Sequence, residues 1–102
     1  MNMKEKVYDF LLKIPQDKVV TYGQIAEYLG NKKLARVVGN ILHNNKDETK
    51  YPCYKVVNCK GYLSKNFAFG GIEKQKEKLE NDGIKVYDYK VDLKAYGYKF
   101  EL

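Results

Sequence analysis

The stretch TYGQIAEYLGNKKLARVVGNILH, residues 21–43, predicts two short amphipathic helices joined by a tight turn. Thr21 and Gln24 have the spacing of a capping box, in which each side chain accepts a hydrogen bond from the backbone N–H of the other residue. Gly30 is typical of the position just after a helix end, and a second apolar stripe begins at Leu34. Two helices connected in this way form a helix-turn-helix unit.

The second of these helices carries a polar face opposite its apolar stripe. At about 100° per residue, Arg36, Asn40 and His43 fall on that face, so we expect them to point at a partner. Arg36 is the only arginine among the 19 basic residues of the chain. A planar guanidinium stacks on bases and donates hydrogen bonds in several directions, which an ammonium group does not do. The alternative interpretation is that Arg36 lies on a solvated face by chance and has no role.

The composition of the chain limits its size and its partners. With 102 residues, of which 44% are hydrophobic, we expect residues 1–102 to form a single domain with a modest core. A net charge of +6 at pH 7 fits a polyanionic partner, although a lysine-rich surface is also typical of a soluble protein. The sequence contains no leader-like or membrane-length apolar run, so we expect a cytoplasmic protein.

The cysteines of the chain predict neither a disulfide framework nor a zinc site. Cys53 and Cys59 are accompanied by a single histidine, so we expect no metal and no cofactor. Cys53 lies in YPCYKVV, residues 51–57, where Pro52 fixes its own φ and favours an extended residue before it. The thiol is therefore held in place, either as a nucleophile or as a small buried hydrophobe.

The remaining patterns predict a small and mainly helical domain. Apolar residues at helical spacing predict helices over residues 7–14, ended by Pro15, and over the charged stretch 72–82. Residues 56–63 suggest a short hairpin or wing, and residues 84–93 a small β-hairpin. The predicted fold class is mainly α, a winged helix-turn-helix-like domain with a short wing and a small C-terminal β-hairpin.

Several segments together resemble the DNA-binding, active-site domain of the O6-alkylguanine-DNA alkyltransferases. The resemblance covers about residues 5–87, and the matching segments keep the family's order and spacing: TYGQIA at 21–26, ARVVGN at 35–40, Asn45, PCYKVV at 52–57, GYLS at 61–64 and residues 79–83. We expect the family's usual N-terminal domain to be absent, as it is from the small alkyltransferase-like proteins. Those proteins carry tryptophan where the alkyltransferases carry the acceptor cysteine, whereas this chain carries Cys53 there.

The resemblance implies a partner and a reaction. Family members dock their helix-turn-helix in the minor groove, rotate an alkylated guanine out of duplex DNA and move its alkyl group irreversibly to the cysteine. The partner would then be double-stranded DNA with alkylated guanine, bound by a monomer, with a further repair-pathway partner as a second expectation. By position, Arg36 would fill the space of the rotated base, Tyr22 would crowd the phosphate, and Asn45 would tie the helix to the active-site strand.

The resemblance also implies contacts around the rotated base. Phe67 or Phe69 would lie over it, and Val56 would form part of the same pocket. The other residues implied at the DNA are Asn40, His43 and Lys55.

The chain departs from the family at the two residues that activate the thiol. Alkyltransferases read Pro-Cys-His-Arg, and their histidine, oriented by a glutamate, takes the thiol proton through a water. Here Tyr54 follows the cysteine and Asp82 stands where the glutamate is expected. Forming a tyrosinate at pH 7 costs about 4 kcal/mol, against about 2 kcal/mol for direct ionisation of a thiol, so Tyr54 is a poor base. The alternative role is that its phenol donates a hydrogen bond to a thiolate or a bridging water, with Asp82 either accepting from it or not reaching it. His43 either contacts a phosphate or substitutes as the base.

Three functions from different classes remain open on the sequence. The first is a single-turnover repair alkyltransferase with Cys53 as acceptor, slowed by the missing base. The second is a non-catalytic, alkyltransferase-like protein that flags alkylated guanine for other repair. The third is an ordinary helix-turn-helix regulator in which Cys53 is incidental.

Overall fold

The chain is mainly helical, with small strands, as the sequence predicts. The computed structural model describes residues 1–47, 49–65, 67 and 69–99. Its α-helices are α1 (Met3–Leu11), α2 (Tyr22–Tyr28), α3 (Ala35–His43), α4 (Gly71–Asn81) and α5 (Leu93–Tyr96). The strands are β1 (Val20–Thr21), β2 (Val56–Val57), β3 (Val86–Tyr87) and β4 (Lys90–Val91). None of the helices within the described ranges is long and apolar enough to cross a bilayer.

The helix-turn-helix unit consists of α2 and α3, and its predicted capping box is confirmed. The Thr21 hydroxyl oxygen accepts from the Gln24 N–H at 3.1 Å, and Gln24 Oε1 accepts from the Thr21 N–H at 2.9 Å. After α2, Gly30 adopts a φ of 103°, which an L side chain rarely adopts. A single 3-10 turn, Lys32–Leu34, then leads into α3.

The predicted wing at residues 56–63 differs from the structure. Val56 and Val57 form β2, which pairs in parallel with β1 instead of folding into a hairpin with the next residues. Both strands are buried, so each gains by pairing with the other inside the core. Residues 58–62 form a tight turn, closed by the Asn58 N–H donating to the Tyr62 carbonyl at 3.0 Å.

The predicted C-terminal hairpin is confirmed, with one change at its end. Strands β3 and β4 pair antiparallel, and the turn contains Asp88 and Tyr89 at positive φ. Leu93 was expected in the second strand, but it begins α5, whose N-cap Asp92 accepts a hydrogen bond from the Lys94 N–H. The short length of α5 leaves little periodicity from which to predict a helix.

The segment after α5 returns to the helix-turn-helix unit. The Val19 N–H donates to the Tyr96 carbonyl at 2.8 Å, and the Tyr98 N–H donates to the Val19 carbonyl at 2.7 Å. Gln24 Nε2 donates to the Tyr98 carbonyl at 2.8 Å, so the capping residue of α2 is also bound to the C-terminal segment.

Two apolar clusters lie on either side of the β1–β2 pair. The first packs α1, α2 and α3 against Cys53 and Val56. The second packs Val57 and Leu79 against the C-terminal hairpin. Helix α1 ends at Leu11, before the predicted end at residue 14. Ile14 is buried from the turn that follows, so the apolar pattern continues beyond the helix.

Candidate functional site

An open cavity of about 780 Å³ lies where α2, α3, α4 and the turn that carries Cys53 meet. Its described lining residues come from every one of these elements: Tyr22, Gly39, Asn40, Leu42, His43, Cys53, Ser64, Phe67 and Gln75. Five of the predicted site residues are therefore brought together around one space: Tyr22, Asn40, His43, Cys53 and Phe67. Their roles toward a ligand remain predictions.

The thiol of Cys53 is held by a rigid turn. Residues Cys53–Lys55 form a 3-10 turn directly after Pro52, and Cys53 is only 6% exposed. The Tyr51 carbonyl accepts from the Cys53 N–H at 2.8 Å and from Asn45 Nδ2 at 3.0 Å. Asn45 is buried just beyond the end of α3. The predicted tie between the helix and the cysteine segment is thus present as a geometric contact.

Gln75 is a functional candidate that the sequence analysis did not single out. It is 1% exposed on α4, and its Nε2 donates to the carbonyls of Tyr54 and Val56 at 3.0 and 3.1 Å. Its Oε1 accepts from the Ser64 N–H at 2.8 Å. The available signal was a polar residue on the inner edge of a helix, since a buried amide requires hydrogen-bond partners.

Tyr8 is a second residue that the sequence analysis missed. Its ring stacks on Tyr51 with 4.7 Å between centroids, and its hydroxyl donates to the Ile41 carbonyl at 3.1 Å. Burial raises the pKa of Tyr8, and the neighbouring Cys53 adds to that effect. Tyr8 therefore fixes the segment before Cys53 against α3.

The hydroxyl of Tyr54 is directed toward Asp82. It donates to Asp82 Oδ2 at 2.5 Å, and Asp82 is the C-cap residue of α4. Tyr54 and Asp82 line a separate pocket that shares no described residue with the cavity at Cys53. A phenol has one proton, so the proton given to Asp82 is not also given to the thiol.

Lys55 does not lie on the surface that was predicted to meet DNA. Lys55 is 4% exposed, and its Nζ donates to the carbonyls of Pro15 and Gln16 at 2.8 and 2.9 Å. Burial lowers the pKa of Lys55, against the opposing attraction of Asp82, whose Oδ2 lies 3.8 Å from Nζ. The prediction of a DNA contact is therefore wrong, because the ammonium group is used inside the protein.

Val56 and the two phenylalanines are placed differently with respect to the cavity. Val56 is 1% exposed within β2 and packs in the first apolar cluster, so the prediction that it forms the base pocket is wrong. Phe67 lines the cavity. Phe69 packs edge-on against Phe67, with 5.9 Å between ring centroids. Of the two phenylalanines, Phe67 is thus the one placed at the cavity itself.

The predicted polar face of α3 is present at the surface. Arg36, Asn40 and His43 are all exposed, whereas Val38 on the opposite side of the helix is buried. Tyr22 begins α2 and contacts Ser64, and burial raises its pKa. The surface of the helix-turn-helix unit therefore leads directly into the cavity through Tyr22, Asn40 and His43.

A family model matches most of the chain. The model described as 6-O-methylguanine DNA methyltransferase, DNA binding domain, matches residues 2–84. The residues from 85 onward, which include the C-terminal hairpin and α5, lie outside that match.

Individual relatives and solved structures are also similar to the chain. Alkyltransferase-like protein 1 of Schizosaccharomyces pombe is 39% identical over an alignment of 99 positions, and the match covers 92% of this chain and 92% of that protein. A DNA base-flipping protein of Vibrio parahaemolyticus is 36% identical over 92 residues, covering 89% of this chain and 90% of that protein.

Solved structures of two similar proteins contain DNA. Schizosaccharomyces pombe Atl1, in complex with damaged DNA containing O6-carboxymethylguanine, superposes with a TM-score of 0.87 at 38% identity, covering 95% of this chain and 94% of that one. Mycobacterium tuberculosis OGT, in complex with DNA, gives a TM-score of 0.73 at 29% identity, covering 81% of this chain and 49% of that one.

Proposed function

The chain belongs to the family of 6-O-methylguanine DNA methyltransferase DNA-binding domains, and we propose that it takes alkylated guanine, rotated out of duplex DNA, into the cavity at Cys53. The helix-turn-helix unit provides the DNA-facing surface, with Arg36 exposed one turn from Asn40 on α3. A rotated base leaves a stacking vacancy, and an alkylated guanine costs less to rotate because its pairing is already weakened. The guanidinium of Arg36 fills that vacancy.

We propose that Cys53 then accepts the alkyl group. The observation that carries this proposal is that Cys53 lines the cavity together with Tyr22, Asn40, His43 and Phe67. Sγ loses its proton to solvent and forms a bond to the alkyl carbon, while the bond between that carbon and guanine O6 breaks. The electron pair stays on the base, which takes up a proton and becomes guanine. The thioether is stable, so each molecule acts once.

The neighbours of Cys53 make this transfer slow. A phenol is a weak base at pH 7, and Tyr54 and Asp82 line a pocket separate from the cavity at Cys53. Direct ionisation of a thiol with an ordinary pKa costs about 2 kcal/mol at pH 7, and a missing general base typically lowers a rate by about 10² to 10⁴. A single-turnover reaction tolerates part of that loss.

A second candidate function is that of a non-catalytic protein that binds the lesion and flags it for other repair. Two observations favour it: the hydrogen bond that commits Tyr54 to Asp82, and the similarity to alkyltransferase-like protein 1 over 92% of each chain. In this function the cavity holds the base, and Cys53 serves only as part of its wall.

Intact-mass measurement after incubation with a duplex that contains O6-methylguanine separates the two functions. Transfer predicts a methyl-sized mass gain on the peptide that contains Cys53, absent from Cys53→Ser and absent with unmodified duplex. Tight, lesion-selective binding without any mass gain supports the non-catalytic lesion-binding function and contradicts alkyl transfer. Equal affinity for the two duplexes contradicts both candidates and points to the ordinary regulator.

A further inference from the structure

A second groove, of about 500 Å³, lies between the 58–61 turn and the C-terminal hairpin. Its described lining residues are Cys59, Lys60, Tyr87, Lys90, Val91, Asp92, Leu93 and Lys94. None of them lines the cavity at Cys53, and the groove takes no part in the proposed function. Most of its residues lie beyond residue 84, where the family match ends.

The groove is preformed because the turn is fastened to the hairpin. The Val91 N–H donates to the Gly61 carbonyl at 2.9 Å, and the Leu63 N–H donates to the Tyr89 carbonyl at 2.9 Å. Gly61 has a φ of 94°, and a Cβ added there would lie 2.2 Å from the Val91 carbonyl oxygen. Two backbone hydrogen bonds and this close approach fix the two walls relative to each other.

The groove combines positive charge with apolar walls. Lys60, Lys90 and Lys94 are exposed along it, against a single carboxylate, Asp92, which is already used as the N-cap of α5. Tyr87 is 70% exposed and presents its ring to the groove wall. Leu93 completes the apolar part of the walls.

This combination selects one kind of partner. The three lysines favour an anionic partner, and the apolar walls favour one that also carries hydrophobic side chains. The phosphate backbone of DNA provides the charge but no large apolar group to enter the groove. We propose that this groove binds an acidic segment of a partner protein in which hydrophobic side chains are interspersed among Asp and Glu.

Fluorescence from a label on Cys59 tests the proposal directly. Cys59 is exposed in the groove, whereas Cys53 is buried, so a Cys53→Ser background directs an environment-sensitive dye to Cys59. The probe is a short synthetic peptide that alternates Glu with Phe. We expect saturable binding, and about tenfold weaker binding by Lys60→Glu/Lys94→Glu. A poly-Glu peptide without Phe should bind more weakly than the mixed one.

The matched control is Lys13→Glu/Lys74→Glu, which changes the net charge equally at two exposed lysines outside the groove. It should bind the peptide as the unchanged protein does. The proposal is overturned if the peptide does not bind, or if both double variants lose binding equally. It is also overturned if the groove variant alone loses affinity for lesion-containing DNA, since the groove would then belong to the DNA interface. Lesion preference, measured in parallel, reports on the proposed function separately.

Discussion

Arg36 is the residue on which lesion recognition depends most directly at the scale of single side chains. It is exposed on α3, and the opposite side of that helix carries the buried residues Val38 and Leu42. A substitution at Arg36 therefore removes a guanidinium group from the surface and leaves the packing of the core unchanged.

We predict that Arg36→Ala lowers the preference for O6-methylguanine duplex over unmodified duplex by about tenfold or more, because filling the vacated stack is worth a few kcal/mol. The midpoint of thermal unfolding should stay unchanged, as is usual for surface substitutions. Fluorescence anisotropy with the two duplexes measures the preference. Lys33→Ala is the matched control, since losing an exposed lysine of the same unit should weaken both affinities alike. Retained preference in Arg36→Ala would contradict the proposed role.

Tyr54 decides the rate of transfer, again at the scale of one residue. We predict that Tyr54→His speeds transfer, by up to about 10²-fold, because an imidazole oriented by Asp82 is a base near neutral pH, unlike a phenol. Single-turnover mass spectrometry gives the rate. Asp82→Asn in the same background should reduce the gain, and Tyr54→Phe should give none. An unchanged or slower rate in Tyr54→His would contradict the proposal that the missing base limits transfer.

At the scale of elements, the C-terminal segment and α2 depend on each other through Gln24. Its side chain accepts from the Thr21 N–H and donates to the Tyr98 carbonyl, so one amide joins the helix cap to a segment 74 residues away. Loss of this amide leaves a donor and an acceptor without their partner at once.

We predict that Gln24→Leu lowers the free energy of unfolding by about 1–3 kcal/mol, because part-buried polar groups lose their hydrogen bonds. Urea denaturation followed by circular dichroism measures the change. Gln16→Leu, at an exposed loop position, is the control and should stay within about 0.5 kcal/mol of the unchanged chain. Equal stability of the two variants would show that the C-terminal segment does not support α2.

The elements that the sequence predicted are those whose signals are local. The helical periodicities, the capping box and the turn near Asp88 each involve residues a few positions apart, and the structure contains all of them. The parallel pairing of β1 with β2 joins residues 36 positions apart, as Val20 with Val56, and no local pattern encodes such a partner. The prediction for Lys55 failed for the same reason, since its acceptors lie 39 and 40 residues away.

At the scale of the whole molecule, Lys55 joins three regions. Its ammonium group lies between the loop after α1, the Cys53 turn and the end of α4. Burial lowers the pKa of Lys55 below its ordinary value of 10.5. Between the lowered pKa and 10.5 the unfolded chain therefore binds more protons than the folded chain, and stability from this group rises as pH increases through that window.

We predict that the difference in unfolding free energy between the unchanged chain and Lys55→Met grows in favour of the unchanged chain as the pH rises toward 10.5. Chemical denaturation at several pH values provides the comparison, and the titration of other groups cancels because both chains contain them. Lys33→Met, at an exposed position, should show no such trend. A difference that shrinks with rising pH would contradict the direction of the Lys55 shift.

The contact between Gly61 and Val91 restricts how this protein can diversify. A side chain at position 61 would clash with the Val91 carbonyl oxygen, so this position accepts only glycine. The side chains of Cys59 and Lys60, at the tip beside it, are exposed and can change without disturbing the junction, because Lys60 contacts Asn58 through its backbone N–H. Substitutions at the rim of the groove can therefore change which partner it binds while the geometry of the helix-turn-helix unit stays the same.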